Sequence, residues 1–212
     1  MFSYPVQVSE HRAQTLEELR ALVAAIEGEP RVQRQGLPTG HPALDRVLSG
    51  WPRPGLVEIV GRPGSGRCAL VRPILAELTQ QRQCVAVIDP FGEWHPPGWT
   101  GLCLDRVLVA QPSPEQAGWT AEQLARSGVF TLVLLFGRLR LGRSAARLLR
   151  GVEQGRCALI VLAEKREQSL SPHLRLETRG FHPDGLRVYL ARHRGGCDGL
   201  TLRLPLVPST DP

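Results

Sequence analysis

Apolar and polar positions alternate along this chain in two different periods, and the switch between them predicts its architecture. Residues 1–14 are a polar lead-in. In "TLEELRALVAAIEG" the apolar residues Leu16, Leu19, Leu22, Val23 and Ile26 fall on one face at helical spacing. Thr15 and Glu18 have capping-box spacing and Gly28 is a natural stop. A Pro- and Gly-containing linker, 30–42, follows, so this helix either packs on its own domain or offers its apolar face to another protein. "HPALDRVLSG" reads as a short helix with Pro42 in its first turn.

From residue 55 onward, short β-branched and apolar runs alternate with helical segments. "GLVEIVG", "CVAVID", "DRVLVAQP", "VFTLVLLFG" and "CALIVLAE" read as strands. Their unbroken apolar character is that of strands covered on both faces. "RCALVRPILAELTQQRQ", "PEQAGWTAEQLARSG" and "LGRSAARLLRGVEQG" read as the helices between them. After "CALIVLAE" the period changes: "HLRLETRGF", "GLRVYLARHRGG" and "LTLRLPL" alternate strictly, with no helix between them. The pattern predicts an α/β fold, βαβ units on a mostly parallel sheet followed by antiparallel C-terminal strands. "PSTDP" reads as a tail.

Composition narrows the function classes only in part. The chain has 212 residues, 42% hydrophobic and 22% charged, the balance of an ordinary globular domain. Its longest apolar run, 129–137, falls far short of the roughly 20 residues of a membrane-spanning helix. No basic stretch leads into an apolar one at the N terminus, so no secretory signal is read and the expected location is cytoplasmic, with no membrane partner. Cys68, Cys84, Cys103, Cys157 and Cys197 form no C-x-x-C pair and no ligand spacing with histidine, which predicts reduced thiols and no metal site. The formal charge of +6 favours nucleic acid or an acidic partner.

The candidate chemistry lies in "GRPGSGRC", residues 61–68. It follows a strand and opens a helix, the context in which G-x-x-x-x-G-K-[ST] cradles phosphate. Gly61 and Gly66 stand in place, and the backbone N–H groups of Gly64, Ser65 and Gly66 can face an anion, so residual ADP, ATP or anion binding stays open although no cofactor is expected. Arg67 replaces the lysine, a longer and planar cation. Cys68 replaces the hydroxyl that would ligate magnesium, a soft sulfur for a hard ion. Pro73, inside the following helix, removes a backbone hydrogen bond at a cost of ~3 kcal/mol and is expected to displace the phosphate-facing end.

Residues 37–71, "LPTGHPALDRVLSG-WPRPGLVEIVGRPGSGRCALV", resemble the opening of the RecA recombinase core, through Thr39, Gly40, Leu44, Asp45, Glu58, Ile59 and Gly61. "QCVAVIDPFGEWHP" is similar to the RecA strand that ends in I-D-A-E. The resemblance implies a RecA-like P-loop core over 30–205, an N-terminal helical segment over 1–29 and a tail over 206–212. It also exposes departures. Phe91 stands where that family has its water-activating glutamate, with Glu93 two positions off; Phe136 falls at or near the metal-binding aspartate; Glu164 replaces the phosphate-sensing glutamine. The DNA-binding loops are reduced, at "GRLRLGRSAARLL" and "KREQSLSPH". A nearer resemblance is to the ImuA family, carried by "LPTG…LD…L…GWPRPG", "WTAEQLARSGVFTLVLL" and "LRLETRGFHPDGLRVYLARHRGG". It implies a non-catalytic adaptor in SOS-induced translesion synthesis, with RecA, an ImuB-type inactive Y-family polymerase and an error-prone replicative-type polymerase as partners, and it leaves open whether DNA is touched directly or through them. The alternatives are a DNA-stimulated ATPase with Arg67 standing in for lysine, and a division inhibitor resembling SulA.

Candidate contact residues follow. Arg143, Arg147 and Arg150 recur at helical spacing and read as a solvated face or a contact to phosphate or an acidic partner. Arg192 and Arg194 match paired basic positions that, in RecA, reach a neighbouring protomer's nucleotide. Leu16, Leu19 and Val23 supply the apolar face of the first helix.

Overall fold

A computed structural model describes residues 36–95, 98–137, 144–196 and 198–205. The predicted first helix with Leu16, Leu19 and Val23, the position Arg143 and the tail 206–212 lie outside the described residues.

The strands β1 (Gly55–Val60), β2 (Val85–Ile88), β3 (Val107–Ala110), β4 (Leu132–Phe136), β5 (Ala158–Ala163), β6 (Leu174–His182), β7 (Gly185–His193) and β8 (Thr201–Leu204) form one sheet in the order β3-β2-β4-β5-β1-β6-β7-β8. Four helices accompany them among the described residues: α1 (Pro42–Leu48), α2 (Arg67–Gln80), α3 (Ala117–Arg126) and α4 (Ser144–Gly155). The central strands are buried on both faces, and their alternate residues feed two separate cores. Val57, Ile59, Leu134, Phe136, Ile160 and Leu162 pack with α1 and α2 through Leu44, Leu70, Ile74 and Leu78. Leu56, Ile88, Val133, Leu135 and Val161 pack with α3 and α4 through Ala117, Ala121, Leu148 and Val152. The chain is therefore an α/β protein with a mostly parallel sheet and antiparallel C-terminal strands, consistent with a RecA-like core.

β6 stands where the two parts of the sheet join. β6 pairs with β1 in parallel, and only β6–β7 and β7–β8 are antiparallel. A parallel pairing needs a crossover, here made without a helix by residues 164–173. Leu170 of this link is buried in the second core. Its end is pinned to the start of β1: the His173 N–H donates to the Leu56 carbonyl at 2.9 Å, and the Leu56 N–H donates to His173 Nδ1 at 3.1 Å. Glu58, fully buried on β1, accepts the Glu167 N–H at 2.7 Å and pairs with Arg175 at the start of β6. A carboxylate buried in a strand is tolerable only with such partners.

The segment before β1 is a small structure of its own. Leu37 and Trp51 exchange backbone hydrogen bonds of 2.8 and 2.6 Å. The fully buried Thr39 donates its N–H to Asp45 Oδ1 at 2.9 Å, which ties the chain ahead of α1 back onto that helix. Gly40 has φ +73°, and a Cβ there would collide with Pro73. α2 runs unbroken through Pro73 from Arg67. The carbonyl that Pro73 leaves unbonded belongs to Ala69, four residues earlier. The His41 ring lies against the carbonyls of Ala69 and Leu70.

Candidate functional site

In a sheet of this kind, ligands bind beyond the carboxyl ends of the strands, where the order of connection reverses. Here the loops leaving β1 and β2 meet the end of β4 at that edge. The glycine loop turns at Gly64 (φ +75°) and Gly66 (φ +97°), and Gly66 is the residue that caps α2. Side chains are excluded at two of its glycines by close neighbours: a Cβ on Gly61 would run into Thr178 and Ser65, and one on Gly66 into Leu186. At Gly64 an added Cβ meets nothing within 4 Å. The Ser65 and Thr178 hydroxyls lie 2.5 Å apart, and Thr178 also donates to the Val60 carbonyl at 3.3 Å. The loop is thus fastened to β6 as well as to β1.

Arg67 does not project into the loop's mouth. Its side chain is 6% exposed and pairs with Glu93, itself 35% exposed, at 3.3 Å. Glu93 is held there by Asp89, a buried carboxylate at the end of β2. Asp89 accepts the N–H groups of Phe91 at 3.3 Å, Glu93 at 2.9 Å and Trp94 at 2.8 Å. The same turn delivers Trp94 into the core beside Trp99, with ring centroids 4.4 Å apart, and both rings meet Phe136 edge-on at 6.3 and 6.4 Å. Phe136 is buried at the end of β4. Phe91 is 46% exposed and its ring lies over Gly137, where a Cβ would strike it. Cys68 is at the surface, yet desolvation by its surroundings raises its thiol above the ordinary value, with Arg67 pulling the other way. It therefore stays a thiol at neutral pH.

Sequence reasoning had singled out Arg67, Cys68, Phe91, Glu93 and Phe136 one at a time. The structure joins Arg67 to Glu93 and Phe136 to Trp94 and Trp99. The tryptophans had been missed, and two of them five residues apart in "EWHPPGW" were the available signal. Thr178 had been missed too, with no local signal to find it.

The candidate contact residues fall in two other places. Arg147 and Arg150 are on the exposed side of α4, opposite buried Leu148 and Val152, and Arg147 reaches Glu122 of α3 at 3.8 Å. Arg192 and Arg194 close β7. The Arg194 guanidinium donates to the Ser171 carbonyl at 3.2 Å, which leaves it bound to the β5–β6 link.

Fold and glycine loop together are consistent with a RecA-like core, and comparison with known proteins finds similarity to RecA over about half of the chain. The chain is 34% identical over 114 residues to Protein RecA of Chloroflexus aurantiacus, covering 51% of this chain and 32% of that one. It is 35% identical over 104 residues to Protein RecA of Bacillus pumilus, covering 47% and 30%. With Protein RecA of Herpetosiphon aurantiacus it shares 33% identity over 112 residues, covering 50% and 31%. The matches span about a third of the length of these curated relatives. No family model matches the chain. Among the described residues, no helix is long and apolar enough to cross a membrane.

Proposed function

We propose that this chain is a non-catalytic RecA-like adaptor of the ImuA family, acting in SOS-induced translesion DNA synthesis between RecA and an ImuB-type, error-prone polymerase assembly. The observation that carries the reading is the ion pair between Arg67 and Glu93. The cation that would meet the outer phosphates of a nucleotide is turned inward and neutralised by a carboxylate. The donor set beside it does not fit a magnesium nucleotide. Cys68 offers a protonated sulfur, Phe136 and the two tryptophans offer carbon, and the Asp89 carboxylate is engaged by three backbone N–H groups. Phosphoryl transfer depends on placed charge and metal, so a site so furnished is read as a turn retained for its shape. A chain without turnover that keeps a RecA-like body is suited to docking.

ATP binding and hydrolysis by the purified chain, with and without single-stranded DNA, tests this. Gly64→Asp serves as the blocked-loop control, because space is open there and Asp tolerates positive φ. The expected result is no turnover in either protein. Turnover in the parent that the control abolishes would overturn the non-catalytic reading and favour a DNA-stimulated ATPase. Loss of RecA-filament binding on replacing Arg192 and Arg194 by Ala is the expected partner result; undiminished binding would remove these arginines from it.

A further inference from the structure

The helices over the second core carry a surface that neither the glycine loop nor the sheet uses. α3 faces the sheet through Ala117, Ala121 and Ala125, with Leu124 packed beside them. Its one large aromatic, Trp119, points the other way and is 61% exposed, whereas Trp51, Trp94 and Trp99 are buried. Glu122 follows three residues on and Arg126 seven on, so the three share one stripe of the helix.

α4 lies close alongside, and two glycines permit it. A Cβ on Gly155 would collide with the Ala125 carbonyl, and one on Gly151 would stand 3.1 Å from the Glu122 carbonyl. The approach sets two cations around one acid. Arg126 meets Glu122 at 2.7 Å from the next turn of α3, and Arg147 of α4 meets its other oxygen at 3.8 Å. The Glu122 side chain is only 7% exposed, while both arginines are exposed. The negative charge is turned inward and the positive charges outward. Arg150, exposed on the next turn of α4, forms no ion pair among the described residues. The remaining acid of α4, Glu153, lies two residues past Gly151 and so on the flank away from α3.

We propose that the α3–α4 face docks an acidic segment of a partner protein, an apolar side chain of that segment lying on Trp119 and its carboxylates on Arg126, Arg147 and Arg150. Three cations against one inward acid leave net positive charge at the surface. The guanidiniums already stand around a carboxylate, and their outward N–H groups suit another. Trp and Arg are the side chains that dominate the energetics of protein contacts. A single indole gives no track for successive bases, so the face fits a protein rather than a nucleic-acid strand. The proposal adds a partner face to the adaptor reading without depending on it. A chain that hydrolysed ATP could still dock this partner, so the two fail separately.

The probe is a fluorescein-labelled synthetic peptide with glutamates on one side and leucines at helical spacing on the other, followed by anisotropy with the full chain over a range of salt. The parent should bind it, more weakly as salt rises. With the other tryptophans buried, iodide quenching reports mainly Trp119 and should fall as the unlabelled peptide fills the site. Trp119→Ala should weaken binding by about tenfold or more, and Trp119→Leu, which keeps an apolar surface, should retain most of it. Arg147→Gln with Arg150→Gln should weaken binding severalfold at low salt and remove most of the salt dependence. Arg46→Gln, exposed on α1, should change neither. All variants should melt with the parent, because Trp119 is exposed and Arg126 stays on Glu122. No binding by the parent, parent-like affinity in Trp119→Ala, or equal binding of the peptide with glutamine for glutamate would overturn the proposal. So would an oligodeoxythymidine that binds more tightly than the peptide through the same residues, which would assign the face to nucleic acid.

Discussion

Neutralising Glu58 should destabilise the sheet by about 3 kcal/mol. The carboxylate is fully buried on β1, and its two partners, Glu167 N–H and Arg175, lie on the link into β6 and at its first turn. In Glu58→Gln the amide oxygen still accepts from Glu167, but the Arg175 guanidinium, only 13% exposed, keeps its charge without a counter-ion. Its remaining contact is the Leu170 carbonyl at 3.4 Å. Removing one partner of a buried pair costs about 3–5 kcal/mol. The partial exposure of Arg175 places this case at about 3 kcal/mol, a drop of roughly 6–12 °C in Tm for a domain of this size. Replacing both partners, Glu58→Leu with Arg175→Met, removes both charges and should recover at least half of that loss. What remains is about 1 kcal/mol for the Glu167 N–H left without its acceptor. Urea denaturation followed by circular dichroism on the parent, Glu58→Leu, Arg175→Met and their double variant closes the cycle, with Glu58→Gln measured beside them. A Glu58→Gln cost under about 1 kcal/mol, or a double-variant cost equal to the sum of the singles, would refute the account of what holds the β5–β6 crossover.

Two titrating groups give further tests. Desolvation lowers the His41 ring below its ordinary value, against the opposing pull of the Ala69 and Leu70 carbonyls and of Asp45. The unfolded chain therefore binds this proton more readily than the folded one. The contribution is complete above about pH 6.5 and is lost as pH falls through the depressed folded value. His41→Gln should show a shallower fall of urea midpoint between neutral and mildly acidic pH; an unchanged slope refutes it. Burial pushes the Cys157 thiol up to about 12. In the folded chain at mildly alkaline pH an aromatic disulfide reagent should label the exposed Cys68 and Cys103 and spare Cys157 until urea unfolds the domain. Early labelling of Cys157, read by peptide mass, would contradict its placement in the second core.

The elements most readable from the sequence were those whose signal is local. Each of the eight strands is an apolar or alternating run, and α1 and α2 begin where Pro42 and the glycine loop place them. The RecA-like order of loop, strand and helix was likewise written in consecutive residues. What escaped was set by register and by distance. Arg67 finds Glu93 twenty-six positions away, and neither residue's neighbours announce the pairing. The parallel pairing of β6 with β1 was not legible, because an alternating strand looks the same parallel or antiparallel and its crossover lacks the helix that usually advertises one. Pro73 looked like a fault in α2, yet the helix continues through it and the proline packs against Gly40, a fit that propensity alone cannot express. The gathering of Arg126 and Arg147 on Glu122 was equally invisible, because which residues meet across two helices depends on how closely their backbones approach.

The hydroxyl contact between Ser65 and Thr178 has a mechanical consequence. A phosphate loop built only from glycine torsions would be soft, free to collapse or to mould itself around whatever arrives. This one is clamped at Ser65, one residue before the helix cap, to a neighbouring strand, and that strand is the first arm of the hairpin leading into β7. Its curvature is borrowed from the sheet and exists before any ligand does. Strain applied along β6 therefore reaches the loop through this contact, coupling loop and hairpin.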